Sequence, residues 1–256
     1  MKRELINCIS YIGELNIEEH KRLNVGVEIQ DFTEPNSTDK EISNLIQKYK
    51  ELFKDFKNIK SLHGPFLDLK PSSPDLEIRK VSQKRYLRAF MIAKELDVDY
   101  LIFHSQINPY LNETNIKGLN VNQSREFWEE IVKVVNFKGT ILIENIFEET
   151  PMMIKELIEA INLPNLKINL DIGHAKLGSV PIENWIKELA NHIGYIHLHT
   201  NNGISDQHLK PAKEEIEVIL DLLDKYNIDC PIALEYKVVN LSKEVELFNK
   251  EWHNGS

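Results

Sequence analysis

The chain is short of the features that classify a protein at a glance. It has two cysteines, Cys8 and Cys230, far apart and in no metal-ligand spacing. That usage predicts no disulfide and suits a reducing, cytoplasmic setting. No run approaches the roughly 18 uninterrupted apolar residues of a membrane span, so no membrane partner is expected. The opening Met1-Lys2-Arg3-Glu4-Leu5 lacks the apolar stretch and small-residue cleavage site expected of a signal peptide. No glycine-rich phosphate loop follows the first apolar run, which disfavours a dinucleotide-binding sheet. A net charge of −9 argues against broad, nonspecific binding to nucleic acid or anionic membrane.

What is there is an alternation. Short apolar, β-branched runs occur at Leu5–Tyr11, Val25–Phe32, Ile59–His63, Tyr100–His104, Thr140–Asn145, Lys167–Asp171, Tyr195–His199 and Ile232–Tyr236. Such runs predict parallel strands buried on both faces. Amphipathic stretches between and after them predict helices over Ile17–Arg22, Thr38–Phe56, Asp75–Leu96, Val121–Val135, Pro151–Ile161, Pro181–Ala190, Lys210–Tyr226 and Ser242–Trp252. Start signals support several: Thr38 with Glu41 as a capping box, Ser73-Pro74-Asp75, and Pro151 at a first helical position. Alternation alone allows an open doubly wound sheet or a closed barrel. With 256 residues, near the roughly 250 typical of such barrels, and no phosphate loop, the fold class expected is α/β: one (β/α)8 TIM barrel domain spanning 1–256.

Six of the eight predicted strands end in residues able to hold a metal: His63, His104, Glu144, Asp171 with His174 just beyond, His197 and His199, and Glu235. The loop after the seventh adds Asp206 and His208. Barrel active sites are assembled at this C-terminal face from the ends of several strands. Imidazole and carboxylate suit zinc, manganese or iron. Carboxylates gathered this closely need a cation, or protons, to neutralise them. His197 and His199 point to the same side of their strand, about 6–7 Å apart, so one of them is expected to share a metal with Glu144. We assign that role to His197 and place His199 behind it or at the substrate. Glu28 faces either the barrel mouth or the wall and its helices, and Lys237, close after Glu235, is a candidate contact for an anionic substrate. Arg79, Arg85 and Arg88 are expected on a solvated or ion-paired helix face, and Trp128, Trp185 and Trp252 as packing anchors.

In this order, Ile143-Glu144-Asn145, Asp171-Ile172-Gly173-His174 and His197-Leu198-His199 with Asp206-Gln207-His208 resemble the xylose-isomerase-like barrels. That superfamily holds sugar isomerases and epimerases, inosose dehydratases and abasic-site endonucleases of the endonuclease IV type. Similarity to the epimerase branch implies one metal held by Glu144, Asp171, His197 and Glu235, with Glu144 and Glu235 doubling as the catalytic acid/base pair. Similarity to the endonuclease branch implies a three-zinc cluster that adds His63, His104, His174, Asp206 and His208, with Glu144 bridging two ions. The sequence departs from both. Thr200-Asn201-Asn202-Gly203 stands where epimerases usually carry an arginine, and Leu209-Lys210-Pro211 where endonucleases carry glycines. The segments Gly64–Pro74 and Ser105–Leu119 hold only Lys70 and Lys117, and no arginine that would grip DNA. The expected activity is therefore a divalent-metal-dependent isomerase or epimerase of a small sugar or sugar phosphate. The alternative is a multinuclear zinc phosphoesterase acting on abasic DNA. Either implies zinc or manganese, between one and three ions per chain.

Overall fold

The computed structural model describes residues 3–111 and 113–251. Eight strands pair in chain order and the last closes on the first, giving a complete barrel. They are β1 Leu5–Ile9, β2 Gly26–Ile29, β3 Lys60–His63, β4 Tyr100–His104, β5 Thr140–Glu144, β6 Leu166–Asp171, β7 Ile193–Leu198 and β8 Ile232–Leu234. Neighbours are parallel throughout. The helices are α1 Ile17–Leu23, α2 Asp39–Phe53, α3 Leu76–Leu96, α4 Thr114–Val135, α5 Pro151–Ile161, α6 Ile172–Leu177, α7 Ile182–Leu189, α8 Lys213–Lys225 and α9 Leu241–Glu251. The fold is thus a (β/α)8 TIM barrel. Among the described residues, no helix is long and apolar enough to cross a membrane.

Local chemistry sets the boundaries. The Thr38 hydroxyl accepts from the Glu41 amide at 3.3 Å while the Glu41 carboxylate accepts from the Thr38 amide at 2.8 Å, a complete capping box. Asp75 accepts from the Glu77 amide at 2.8 Å and so starts α3. Two elements differ from the sequence expectation. Helix α4 begins at Thr114, seven residues before Val121. Its first turns, Thr-Asn-Ile-Lys-Gly-Leu-Asn, have weak intrinsic helicity, and the Lys117–Glu156 ion pair ties them to α5. The short α6 was not expected. Asp171 starts it by accepting from the His174 amide at 2.7 Å.

The barrel interior explains where the chemistry sits. Ile6, Ile102, Leu142, Tyr195 and Ala233 form a buried inner plug. Two residues further along each strand the same face recurs, and there the side chains become Cys8, His104, Glu144, His197 and Glu235. A larger core between strands and helices includes Trp128 and Trp185, packed as anchors. Trp252 lies outside the described residues.

Candidate metal centre

The polar layer rests directly on the apolar plug. Glu144 on β5 is held by Asn169, whose amide donates to its Oε2 at 2.9 Å. His63 and His104 approach the same carboxylate at 3.6 and 3.8 Å. His197 Nδ1 stands 3.3 Å from Glu144, 3.6 Å from Asp171 and 2.9 Å from Glu235. Above them, His174 Nε2 and His208 Nε2 meet Asp206 Oδ2 at 3.1 and 2.9 Å. All nine residues expected as metal ligands therefore converge at one end of the barrel. Their ligand atoms fall into overlapping groups: His63–His104–Glu144, Glu144–Asp171–His197, Asp171–His199–Glu235 and His174–His199–Asp206–His208.

The three residues expected at a substrate are placed differently. Glu28 and His199 are both fully buried. Glu28 lies beneath His197, accepting from its Nε2 at 2.9 Å and from the Tyr195 hydroxyl at 2.9 Å. The inward-facing Glu28 is thus part of the barrel interior. Lys237 is exposed just past β8.

Several side chains that build this arrangement were not singled out from the sequence. Asn145 clamps the ends of β5 and β6, donating to the Asp171 carbonyl at 3.0 Å and accepting from the Asp171 amide at 2.9 Å. Gln30 donates to Glu235 at 3.0 Å. Phe66 stacks on His104 with ring centroids 4.4 Å apart. Asn169 could have been found, since a polar residue two before Asp171 in an otherwise apolar strand faces the same interior. Phe66 carried no such signal.

Four histidines share one pattern. Each fixes one ring nitrogen on an oxygen and turns the other toward the cluster. His63 Nδ1 is on the Gly64 carbonyl at 2.9 Å, and His174 Nδ1 on the Asn145 carbonyl at 2.9 Å. His197 Nε2 is on Glu28 at 2.9 Å, and His199 Nε2 on Asp171 at 3.1 Å. This is how metal-ligating imidazoles are held in a defined tautomer. A second observation tests the fit. His197 Nδ1, His199 Nδ1 and Glu235 Oε2 are buried atoms without a hydrogen-bond partner. His197 Nδ1 and Glu235 Oε2 are 2.9 Å apart without hydrogen-bonding geometry. Buried polar atoms are costly unless satisfied, and a cation between them satisfies both. The donor set fits a divalent metal.

Electrostatics agree. Burial alone would lower the His197 pKa, but Glu235, Glu28 and Glu144 around it hold it well above the usual imidazole range. His174 is raised in the same way, against its burial, by Asp171, Asp206 and Glu144. Burial pushes Glu144 and Asp171 upward, yet the histidines around them hold both well below the carboxylate range. His104 is the exception, since desolvation takes it down to about 3 despite Glu144. Ionised carboxylates here attract positive charge, whether protons or a metal.

A metal-competent cluster at the C-terminal end of a closed (β/α)8 barrel defines the class, and the chain belongs to the xylose isomerase-like TIM barrel family, whose model matches residues 25–251. It is 32% identical over 205 residues to the uncharacterized protein MJ1311 of Methanocaldococcus jannaschii, covering 72% of this chain and 67% of that protein. Among solved structures it is similar to a D-tagatose 3-epimerase-like protein, with 25% identity, a TM-score of 0.74, and 98% of this chain and 97% of that one covered. The TTHB071 protein of Thermus thermophilus, from a crystal soaked with zinc chloride, shares the fold at 22% identity and a TM-score of 0.72, each chain covered in full.

Proposed function

We propose that the chain is a divalent-metal-dependent isomerase or epimerase acting on a small sugar or sugar phosphate. The observation that carries this reading is the pair of glutamates, Glu144 on β5 and Glu235 just past β8, meeting across His197 and Asp171. Glu144, Asp171, His197 and Glu235 would hold the ion. Zinc or manganese there supplies a Lewis acid that polarises a carbonyl and neighbouring hydroxyl of the substrate. The rest belongs to the protein's own side chains. Glu144 and Glu235 flank the substrate carbon and move its proton, one from each side. Gln30 and Asn169 orient these carboxylates by donating to Glu235 at 3.0 Å and to Glu144 at 2.9 Å. The 3-epimerase-like structural neighbour supports this class of chemistry.

The mouth supports a small substrate over a polyanion. The loops after the strands carry no arginine and expose Tyr11, Leu67, Tyr110, Phe147 and Ile204 instead. A second reading, phosphoester hydrolysis by two or three metals, rests on the additional His63–His104–Glu144 group. The test is exchange of a substrate C–H proton with deuterated solvent, followed by NMR across a panel of ketoses and their phosphates. Exchange by the metal-loaded chain that Glu235→Gln abolishes fits the proposal. No exchange with any sugar, together with cleavage of abasic DNA or phosphate esters that depends on His104, would replace it with the second reading.

A further inference from the structure

The segments Gly64–Pro74 and Ser105–Leu119, which follow β3 and β4, hold one lysine each, and both lysines come to one place. Lys70 lies in the loop after β3, and Lys117 early in α4. They line a pocket beside the barrel mouth whose apolar side is Met153 and Leu157 of α5. Its polar lining includes Ser72, Ser105, Asn120 and Ser124. The chain has 40 acidic residues, yet among the described residues none of them lines this pocket. Its cavity volume is about 50 Å3, against the roughly 10–15 Å3 that one water needs, so a few waters or one tetrahedral oxyanion fit.

The polar groups of the pocket do not satisfy one another. Lys117 pairs with Glu156 on α5, but among the described residues nothing pairs with the half-buried Lys70 ammonium. The Asn120 amide and the Ser124 hydroxyl likewise have no hydrogen-bond partner there, although Ser124 is only 8% exposed. Buried polar groups are ordinarily hydrogen-bonded, so these donors are held for something that enters the pocket. The wall of the pocket joins it to the metal-competent cluster. Ser105 follows His104 directly, and its amide donates to the Glu144 carbonyl at 2.9 Å. Gln106, also in the lining, has a left-handed backbone, φ 59°, uncommon for a residue other than glycine. Its side-chain amide donates to the Phe66 carbonyl at 3.2 Å, and Phe66 stacks on His104. Two residues of chain span at most about 7 Å, which keeps the Gln106 backbone within the reach of a five- or six-carbon sugar phosphate held at His104.

We propose that this pocket takes the phosphoryl group of the substrate, which makes a phosphorylated sugar, and not an unphosphorylated one, the substrate class of the barrel. The inference rests on the isomerase or epimerase reading and names its substrate. Lys70 supplies the charge, and Asn120 and Ser124 supply directional donors. Hydrogen bonds from a charged donor to phosphate oxygens are the stronger kind. Lys117 adds a second cation, balanced by Glu156. With the phosphoryl group held here, the carbonyl end of the sugar is left to Glu144 and Glu235. No bond at phosphorus is made or broken. An anchor of this sort grips ground state and transition state alike, so its loss raises KM and leaves kcat nearly unchanged. Free inorganic phosphate has the same chemistry, and the experiment separates it from the substrate's own phosphoryl group.

The experiment has two arms, both on the full chain. In the first, inorganic phosphate is titrated into the chelator-stripped chain while the amide signals of Ser72, Ser105 and Ser124 are followed by NMR. Wild type is compared with Lys70→Gln, Lys70→Arg, Ser124→Ala and Lys84→Gln, the last an exposed lysine of α3 outside the pocket, and each variant's melting is checked. A saturable shift is expected, weakened about 10–100-fold by Lys70→Gln, as for loss of a hydrogen bond to a charged group. Lys70→Arg should retain it, Lys84→Gln should leave it unaltered, and Ser124→Ala should weaken it by a smaller factor. In the second arm, the metal-loaded chain is assayed for proton exchange on ketoses and their phosphates. Lys70→Gln should raise KM for sugar phosphates about 10–100-fold at nearly constant kcat, and leave the poorer exchange on unphosphorylated sugars as it is. Wild-type phosphate affinity in Lys70→Gln overturns the proposal, and should that variant fail to fold, wild-type affinity in Ser124→Ala does so. Phosphate binding that depends on Lys70 while sugar phosphates keep their wild-type KM overturns it too, since the occupant is then free phosphate. Exchange on unphosphorylated ketoses that a phosphate does not improve defeats this inference alone. Lys70-dependent phosphate binding without proton exchange on any sugar defeats the functional reading alone.

Discussion

Two sets of candidate ligands share one barrel mouth and are built by different means. The inner set, Glu144, Asp171, His197 and Glu235, comes entirely from strand ends and is at least nine-tenths buried. The outer set takes His174 from a six-residue helix and Asp206 and His208 from a loop, with the His208 side chain 41% exposed. Strands fixed by barrel closure hold side chains rigidly. A loop holds them only as well as something pins it. The difference teaches that the inner set is preorganised by the fold, whereas the outer set needs its own fastening, and Asp171 and His199 are where the two meet.

The largest effect is expected at Asp171, because both sets depend on it. It faces His197 Nδ1 at 3.6 Å, fixes His199 Nε2 at 3.1 Å and starts α6 through the His174 amide at 2.7 Å. Asp171→Asn keeps the shape but removes the charge. Metal affinity should fall by more than about 100-fold at both sites, above the range for a supporting partner. Calorimetric titration that found only the inner site impaired would break the claim that Asp171 couples the sets.

Next comes Glu28, which separates them. Its carboxylate holds His197 and makes no contact with the outer set. Glu28→Gln can still fill the space, but the amide no longer gives a charged acceptor to His197 Nε2. Inner-site affinity should drop about 10–100-fold while outer-site affinity stays at the wild-type value. Equal losses at both sites would mean that Glu28 supports the whole mouth and not one tautomer.

Gly173→Ala probes the junction from the other side. The added methyl would stand 2.3 Å from His199 Nδ1, so the ring must move, and it is walled in. Overpacking of this kind costs about 1–3 kcal/mol. Thermal melting should show that loss, and metal titration should show the outer class weakened with the inner class retained. An unchanged outer class would show that the His199 ring does not shape the outer set.

How much of this was legible in the sequence follows from the same physics. The eight strands were visible because parallel strands buried on both faces are short apolar runs, and their ends were visible because period-two alternation carries the interior face from Leu142 to Glu144 and from Ala233 to Glu235. Depth was not. Glu28 is buried beneath His197, yet nothing in Gly26-Val27-Glu28-Ile29 distinguishes a carboxylate under a histidine from one at the rim. That assignment depends on which strand lies across the barrel, a long-range fact. The pairing of Asp206 and His208 with His174 depends on how a loop folds back, and the start of α4 at Thr114 on a contact with α5. Strand ends are local information; what they meet is not.

The smallest effect expected is a dependence of stability on pH that tells protons from metal. Without a cation, histidine protons balance the carboxylates. Hydrogen bonding to Asp206 raises His208 to about 9, against its partial burial, and His174 and His197 are raised as well. A raised imidazole pKa stabilises the fold fully below the unfolded value of about 6.5. That contribution is lost as pH climbs through the folded value. The melting temperature of the metal-free chain should therefore decline between about pH 6.5 and 9, with the carboxylates left facing one another at the upper end. Metal replaces these protons, and ligand imidazoles must be deprotonated to bind it. The loaded chain should accordingly hold its melting temperature over the same interval, and its margin over the metal-free chain should widen as pH rises. Parallel declines for the two forms would show that the pH-sensitive groups lie away from the candidate ligands, and that metal does not take the place of their protons.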